Sequence, residues 1–198
     1  MNDEIQIQRE HYAQSAADYD GLHVDPEHEI ALALLDGFIR KFDISSVLDV
    51  GAGTGRTLSF LRDRNRDLEL HGVEPVAELR EVAYTIGISP DELIDGNGLE
   101  LPFEDNSIDL VCEFAVLHHV RTPKKVVREM VRVARKAVYI SDNNTFGGGS
   151  APARLVKQTF HQIGMWPLIN YIKTCGKGYS ITEGDGLFYS YSVFDSLS

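Results

Sequence analysis

The stretch that decides the fold is Val47-Leu48-Asp49-Val50-Gly51-Ala52-Gly53-Thr54-Gly55. Its first four residues form a short apolar run, which is typical of a strand buried on both faces of a parallel sheet. Three alternating glycines then end the strand, because a tight strand-to-helix turn needs backbone dihedrals that glycine adopts most easily. A helical pattern resumes at Arg56. The free N–H groups of that helix's first turn point toward the loop, which predicts a site for a nucleotide-like cofactor.

The spacing around the loop discriminates between cofactors. A dinucleotide-binding loop has another glycine where this chain has Arg56, and a phosphate-binding loop needs Lys followed by Ser or Thr. Glu74 ends the next predicted strand, and an ionised carboxylate can accept hydrogen bonds from both hydroxyls of a ribose. A ligand with a small zwitterionic end and a ribose fits this pattern. S-adenosylmethionine (SAM) has both features.

Three motifs carry a resemblance to a known family: VLDVGAGTG (47–55), LPFEDNSIDLV (101–111) and VLHHV (116–120). Together with Glu74 they resemble the class I SAM-dependent methyltransferases, and they are most similar to the members that act on small molecules. The resemblance runs from about residue 12 to about residue 143.

The resemblance also implies roles for individual residues. Gly51 and Gly53 would contact the methionine part of SAM, and Asp49 would support its amino end. Glu74 would hold the ribose. Asn97, beside Gly98, stands where the family usually has an acidic residue that receives the adenine amino group, and an amide oxygen can still accept that hydrogen bond. Glu113 and the turn that follows it would flank the transferred methyl group.

The predicted fold is α/β, a three-layer sandwich around a Rossmann-like, mostly parallel, seven-stranded sheet. Residues 1–198 are expected to form a single domain, with a variable acceptor-side segment at 145–198. Alternating residues predict a terminal hairpin over 179–182 and 187–194. By family analogy this hairpin supplies the last two strands of the sheet, and the final strand is antiparallel.

Composition narrows the class of protein. The chain has 198 residues, 43% of them hydrophobic, and a net charge of −11. Acidic proteins repel polyanions, so a nucleic-acid acceptor is not expected. The two cysteines form no disulfide framework and have no metal-ligand spacing, which favours a cytoplasmic protein without a metal. No signal peptide and no apolar run of spanning length appears, so no membrane partner is expected. The oligomeric state is left open.

The N-terminal segment, residues 1–24, has two interpretations. It could be a lid in which Tyr12 or Tyr19 faces the sulfonium cation, or an amphipathic helix that packs on the edge of the core. The next helix begins at Pro26. Its apolar stripe is expected to support the sheet, and its members are Ala31, Leu34, Leu35, Phe38 and Phe42.

His118 and His119 are the available bases beside the predicted methyl position. Methyl transfer from a sulfonium depends mainly on positioning, and a base is needed only for a hydroxyl or carbon acceptor. Either histidine could instead pack or cap. Likewise, Phe160, Trp166 and Tyr171 could line an acceptor pocket or belong to the core.

The function expected from these observations is methyl transfer from SAM to a small-molecule acceptor. Three alternatives stay open. They are a nicotinamide-linked oxidoreductase, a SAM-binding protein without turnover, and a methyltransferase acting on protein or RNA. The missing glycine at Arg56 counts against the first, and the negative charge counts against an RNA substrate.

Overall fold

The computed structural model describes residues 2–16, 26–145, 147, 149–182 and 186–196. The helices are α1 (Asn2–Ser15), α2 (Pro26–Lys41), α3 (Arg56–Arg64), α4 (Ala77–Thr85), α5 (Pro123–Val133), α6 (Ala151–Gln162) and α7 (Trp166–Lys173). The strands are β1 (Ser46–Val50), β2 (Glu69–Val73), β3 (Leu93–Ile94), β4 (Ile108–Phe114), β5 (Ala134–Ser141), β6 (Tyr179–Thr182) and β7 (Gly186–Tyr189). Short 3-10 turns cover Leu117–His119 and Val193–Ser196.

The first five strands form one parallel sheet in the order β3-β2-β1-β4-β5. Strand β1 lies at its centre, and all five of its residues are buried. The strand order reverses direction at β1, between β2 on one side and β4 on the other. In open α/β sheets a ligand binds beyond the carboxyl ends of the strands at such a point, so the glycine loop occupies the expected position.

Helices cover both faces of this sheet. The side chains of β1 alternate between two cores: Val47 packs in one with Leu35 of α2 and Leu58 of α3. Leu48 packs in the other with Met130 of α5. Since a strand buried on both faces can present apolar residues at successive positions, the short apolar run of β1 is explained by this three-layer packing.

The predicted seven-stranded sheet is wrong. Strands β6 and β7 form the predicted antiparallel hairpin, but as a separate two-stranded sheet. Side chains bind the backbone groups of β7 that another strand would otherwise use. The Leu187 N–H donates to Gln8 Oε1 at 2.6 Å, and the Leu187 carbonyl oxygen lies 2.7 Å from His119 Nδ1. These bonds hold β7 against α1 and the turn after β4, away from the parallel sheet.

Helix α2 supports the sheet through a different face from the predicted one. Ala31 and Leu35 are buried as expected, but Leu34 and Phe38 are 57% and 46% exposed. The buried face is Ala31, Leu32, Leu35 and Ile39. Periodicity identifies residues that share a face of a helix. Helix α2 has apolar residues on two faces, and only one of them packs on the sheet.

The two cysteines lie in contrasting environments. Cys112 is buried in β4, whereas Cys175, just beyond α7, is exposed, and both are free thiols. Among the described residues, no helix has the length and hydropathy needed to cross a membrane.

Candidate functional site

A cavity of about 250 Å³ opens at the carboxyl edge of the parallel sheet. One wall comes from the loops after β1, β2 and β3. Most of the remaining lining, which we call the opposite wall, comes from α1, the turn after β4, α5 and β7. The sheet-side wall includes Gly51, Gly53, Glu74, Asn97 and Gly98.

The glycine loop is fixed against both the sheet and the opposite turn. The N–H groups of Gly51 and Ala52 donate to the Val73 carbonyl at 2.8 and 3.1 Å. Gly51 and Gly53 have φ of 77° and 55°, a region that residues with a Cβ rarely adopt. A Cβ on Gly51 would lie 2.5 Å from Val116 Cγ2. A larger residue at position 51 would therefore fill the space between loop and turn.

Glu74 connects the glycine loop to the end of β2. Its Oε2 accepts from the Gly53 N–H at 3.0 Å, and its Oε1 accepts from the Val76 N–H at 2.9 Å. The residue is 5% exposed, and burial raises the pKa of its carboxyl to about 7. Each carboxylate oxygen has a second lone pair, so both oxygens can still accept a bond from a ligand in the cavity.

Asp49 lies beneath the loop and does not line the cavity. It is hydrogen-bonded to the Thr57 side chain in α3, and Cys112 Sγ lies 3.8 Å from its Oδ1. Burial raises the pKa of Asp49 to about 7. Its contact with α3 supports the start of the helix that follows the glycine loop.

Asn97 and Gly98 complete the sheet-side wall. Asn97 Oδ1 accepts from the Leu99 N–H at 2.9 Å, so its amide oxygen already stabilises its own turn and has one lone pair left. A Cβ on Gly98 would lie 2.8 Å from Val126 Cγ1, so this backbone packs directly on α5.

His119 is the central side chain of the opposite wall. Its Nε2 lies 2.8 Å from the Tyr12 hydroxyl, and its Nδ1 lies 2.7 Å from the Leu187 carbonyl oxygen. The Gln8 amide nitrogen also lies 3.1 Å from Nδ1, but the contact with the Leu187 carbonyl is shorter. A carbonyl oxygen can only accept, so we place the hydrogen on Nδ1, and Nε2 then accepts from Tyr12. Burial, with a smaller contribution from the neighbouring His118, lowers the pKa of His119 to about 3. His119 is therefore neutral at physiological pH.

His118 and Glu113 lie behind this wall and do not line the cavity. His118 Nδ1 lies 2.7 Å from Asp142 Oδ1, and Asp142 Oδ2 accepts from the Leu117 N–H at 2.6 Å. Burial acts to raise the pKa of Asp142, but the bond and charge of His118 and the backbone donors bring it below its ordinary value. The Asp142–His118 pair thus fixes the turn that presents His119.

Glu113 also holds that turn, through a bond from the Val116 N–H to its Oε2 at 3.0 Å. Burial and the nearby charge of Asp142 raise the pKa of Glu113 well above its usual range. A protonated Glu113 avoids placing two buried carboxylates of like charge side by side. Its contribution to the site is the position of Val116, the side chain that touches the glycine loop.

Helix α1 brings residues to the cavity that the sequence did not single out. Gln8 and Arg9 line it together with Tyr12. Ala16, the residue after α1, packs on Val76 and Leu79. No local signal could have identified Gln8, because its partner Leu187 is 179 residues away in the chain.

Four aromatic residues of the sequence prediction are not placed in the cavity. Tyr19 lies outside the described residues. Phe160, Trp166 and Tyr171 do not line the cavity. The Trp166 Nε1–H instead donates to Ser190 Oγ at 2.7 Å, and Tyr171 is 60% exposed. No group of three His, Cys, Asp or Glu side chains in the described ranges is arranged to hold a metal ion.

Comparison with known proteins shows which family the central part of the chain is similar to. Residues 48–141 match the family described as a methyltransferase domain. Over 117 residues the chain is 32% identical to the phosphatidylethanolamine N-methyltransferase of Cereibacter sphaeroides, covering 57% of this chain and 56% of that protein. The ajmaline N-methyltransferase of Rauvolfia serpentina is 31% identical over 100 residues, covering 48% of this chain and 34% of that protein. The chain thus spans between about a third and just over half of the length of these curated relatives.

A solved structure supports the same assignment. The YcgJ protein of Bacillus subtilis matches with a TM-score of 0.53 and 25% identity over 74% of this chain and 59% of that chain. This likeness supports the fold, while the family match spans the segment from β1 to β5 that includes the glycine loop and Glu74. Just under half of the chain, residues 48–141, is therefore similar to the methyltransferase domain family, in agreement with the resemblance seen in the sequence.

Proposed function

We propose that this protein transfers the methyl group of SAM to a small-molecule acceptor. The observation that carries the proposal is a cavity with the glycine loop and Glu74 on one wall and Tyr12 and His119 on the other. The first wall has the features expected of a SAM site, and the second can hold an acceptor beside it. The net charge of −11 disfavours a nucleic-acid acceptor.

The residues present fit SAM. Gly51 and Gly53 line the cavity with backbone that carries no side chain, so a ligand can lie against it. Glu74 would hold the ribose hydroxyls through the lone pairs that its two backbone bonds leave available. Gly53 would contact the methionine part, and the remaining lone pair of Asn97 would accept from the adenine amino group. Bound SAM would supply an electrophilic methyl group on a sulfonium that is a good leaving group.

The opposite wall favours positioning over base catalysis. A general base works best when its pKa lies near the operating pH, whereas burial lowers the pKa of His119 to about 3. The Nε2 lone pair of His119 is also occupied by the Tyr12 hydroxyl. We therefore assign to this pair the role of fixing the Tyr12 oxygen as a hydrogen-bond acceptor for the incoming nucleophile.

This arrangement suits a nitrogen nucleophile. A neutral amine carries its own lone pair, so it can attack before it loses a proton, whereas a hydroxyl needs a base during the reaction. The relatives from Cereibacter sphaeroides and Rauvolfia serpentina are both named as N-methyltransferases, which supports a nitrogen acceptor. His118, held by Asp142 behind the wall, would act only by positioning the turn.

The test is a calorimetric titration with S-adenosylhomocysteine (SAH), with NAD as the control. We expect saturable binding of SAH alone. Methyl-labelled SAM is then supplied with sets of amines, phenols and carboxylic acids, and transfer to amines is expected. Binding of NAD instead would contradict the proposal and favour the oxidoreductase alternative. SAH binding without transfer to any acceptor class would leave a binding protein without turnover.

A further inference from the structure

The segment from residue 143 to residue 182 differs in charge from the rest of the chain. It contains four of the 19 basic residues and none of the 30 acidic residues of the protein. The basic residues are Arg154, Lys157, Lys173 and Lys177. The segment, which consists mainly of helices α6 and α7, therefore has a net charge of +4 in a protein whose net charge is −11, because it lacks acidic residues.

The same two helices turn their apolar sides toward solvent. No residue of α6 or α7 is buried. Leu155, Leu168 and Ile172 are 66%, 55% and 67% exposed. We call the exposed apolar surface of this segment the α6–α7 face; its members are Leu155, Val156, Ile163, Met165, Leu168, Tyr171 and Ile172.

The less exposed sides of the helices make the contacts with the rest of the protein. Trp166 in α7 donates to Ser190, and His161 in α6 lies 3.5 Å from Asp195. Leu155 in α6 and Ile163, which directly follows the helix, are eight positions apart and so fall on one side of it, whereas His161 falls on the opposite side. A helix that covers a core shows the reverse pattern, with its apolar side inward.

We propose that the α6–α7 face docks on an anionic phospholipid bilayer surface. Exposed aliphatic side chains on a helix lying in the membrane plane insert into the boundary between headgroups and acyl chains. Lys173 and Lys177 are exposed at the end of α7 and just beyond it, and their long side chains can reach the lipid phosphates. A basic segment on an otherwise acidic protein would also orient the molecule toward the anionic surface.

Charge favours an anionic bilayer over a second copy of the chain as the binding partner of the α6–α7 face. Two copies meeting through the α6–α7 face would bring their basic residues together, and like charges repel. Helix α2 provides a comparison, because Ile30 and Leu34 are 62% and 57% exposed there. That helix contains Glu27, Glu29 and Asp36 against Arg40 and Lys41, so it lacks the positive charge. Apolar exposure and basic charge coincide in α6–α7 but not in α2.

Docking through this face would bring the cavity close to the membrane. Ser190, the partner of Trp166, directly follows Tyr189, which lines the cavity. The segment that contacts lipid is thus attached to a strand of the cavity wall. The docking proposal stands independently of the methyltransferase proposal, because it rests on the charge and exposure of a segment outside the cavity.

Co-sedimentation with vesicles tests the proposal. We expect the full chain to bind vesicles made of equal parts phosphatidylcholine and phosphatidylglycerol, and to bind vesicles of phosphatidylcholine alone at least about tenfold more weakly. Added salt should weaken binding, since it screens the basic residues. Equal binding to the two compositions, or no binding to either, would overturn the proposal.

Paired variants locate the surface. L168S/I172S removes two exposed apolar side chains, and K173E/K177E reverses two charges. Each should weaken vesicle binding about tenfold or more. I30S/L34S removes equally exposed side chains from α2 and should bind like the wild type. If the α2 variant loses binding and the α7 variant keeps it, the proposal is wrong.

Two further measurements distinguish a failure of lipid docking from misfolding of a variant and from self-association of the chain. Calorimetry with SAH shows whether each variant is folded around its cavity, and all three should bind SAH like the wild type. Sedimentation velocity without vesicles shows the oligomeric state. A wild-type dimer that L168S/I172S converts to a monomer would identify a second copy as the occupant and overturn docking on lipid. Failure of the wild type to bind SAH, with vesicle binding intact, would instead count against the proposed methyltransferase function alone.

Discussion

The two walls of the cavity are built in different ways. On the sheet side, the bond between Gly53 and Glu74 joins residues 21 positions apart, and both lie at the ends of adjacent parallel strands. On the opposite side, Tyr12 and His119 are 107 positions apart, and Gln8 and Leu187 are 179 positions apart. The first wall forms once β1, β2 and β3 pair, whereas the second needs both ends of the described chain. We therefore expect changes in the first wall to affect SAH affinity, and changes in the second to affect the rate of transfer.

The largest effect is expected at Gly51. G51A places a Cβ 2.5 Å from Val116 Cγ2 and forces alanine to a φ of 77°. Steric overlap and the positive φ together cost about 2 to 5 kcal/mol, so SAH binding should fall below detection in a calorimetric titration.

Gly87 provides the matched control for this change. It has a φ of 94°, but no atom of the described residues lies within 4 Å of the place that a Cβ would take. G87A should therefore lower the free energy of unfolding by about 1 to 2 kcal/mol and leave SAH affinity unchanged. Equal SAH affinity in G51A and the wild type would show that the glycine loop does not contact the ligand.

A smaller loss is expected for E74A. This change removes a carboxylate that can accept from two ribose hydroxyls, and SAH affinity should fall by about 2 to 3 kcal/mol, or roughly 30- to 150-fold. Glu92 is the control, because its carboxylate pairs with Arg62 and does not line the cavity. E92A should bind SAH normally. Unchanged affinity in E74A would remove Glu74 from the site.

The pH dependence of SAH binding should follow Glu74. Burial raises the pKa of this group to about 7, and the ionised form is the better acceptor for ribose hydroxyls. Protonation competes with binding, so affinity should be highest above pH 7 and should fall about tenfold for each pH unit well below it. Calorimetry at pH 8, 7 and 6 measures this slope. In E74Q the slope should be much flatter, and an equally steep slope would assign the titration to another group.

The smallest effect is expected from Y12F in the second wall. Loss of the hydroxyl removes its bond to His119 Nε2, and the transfer rate should fall about 2- to 10-fold while SAH affinity stays nearly constant. Y84F is the control, because the Tyr84 hydroxyl donates to the Leu93 carbonyl outside the cavity. A Y12F enzyme with wild-type rate but weaker SAH binding would move Tyr12 from the acceptor side to the cofactor side.

The sequence predicted the sheet-side wall because its signals are local. The apolar run before Gly51 and the acidic end of β2 each identify a strand terminus, and parallel strands bring such termini to one edge. The position of β6–β7 could not be predicted in this way. The residues that hold β7, Gln8 and His119, use side-chain bonds to its backbone, and such bonds leave no periodic pattern in the sequence.

The sequence pattern also could not predict which side chains of α2 are buried and which side chains of the turn after β4 face the cavity. In α2 the predicted stripe contains Leu34 and Phe38, yet the sheet covers the face with Leu32 and Ile39. In the turn after β4, adjacent histidines point to different surroundings: His119 lines the cavity, while His118 pairs with Asp142 behind it. Which of two neighbouring residues faces a cavity depends on the packing of distant segments, and a single sequence does not contain that information.

The contrast between the two cysteines offers a route to observe the α6–α7 face directly. The thiol of Cys112 is enclosed in β4, and burial raises its pKa well above the ordinary value, so it reacts slowly with alkylating reagents. Cys175 is exposed two residues after the end of α7. A thiol-reactive fluorophore would therefore attach at Cys175 in the unmodified protein, and its emission would report the polarity around the tip of the basic segment in real time.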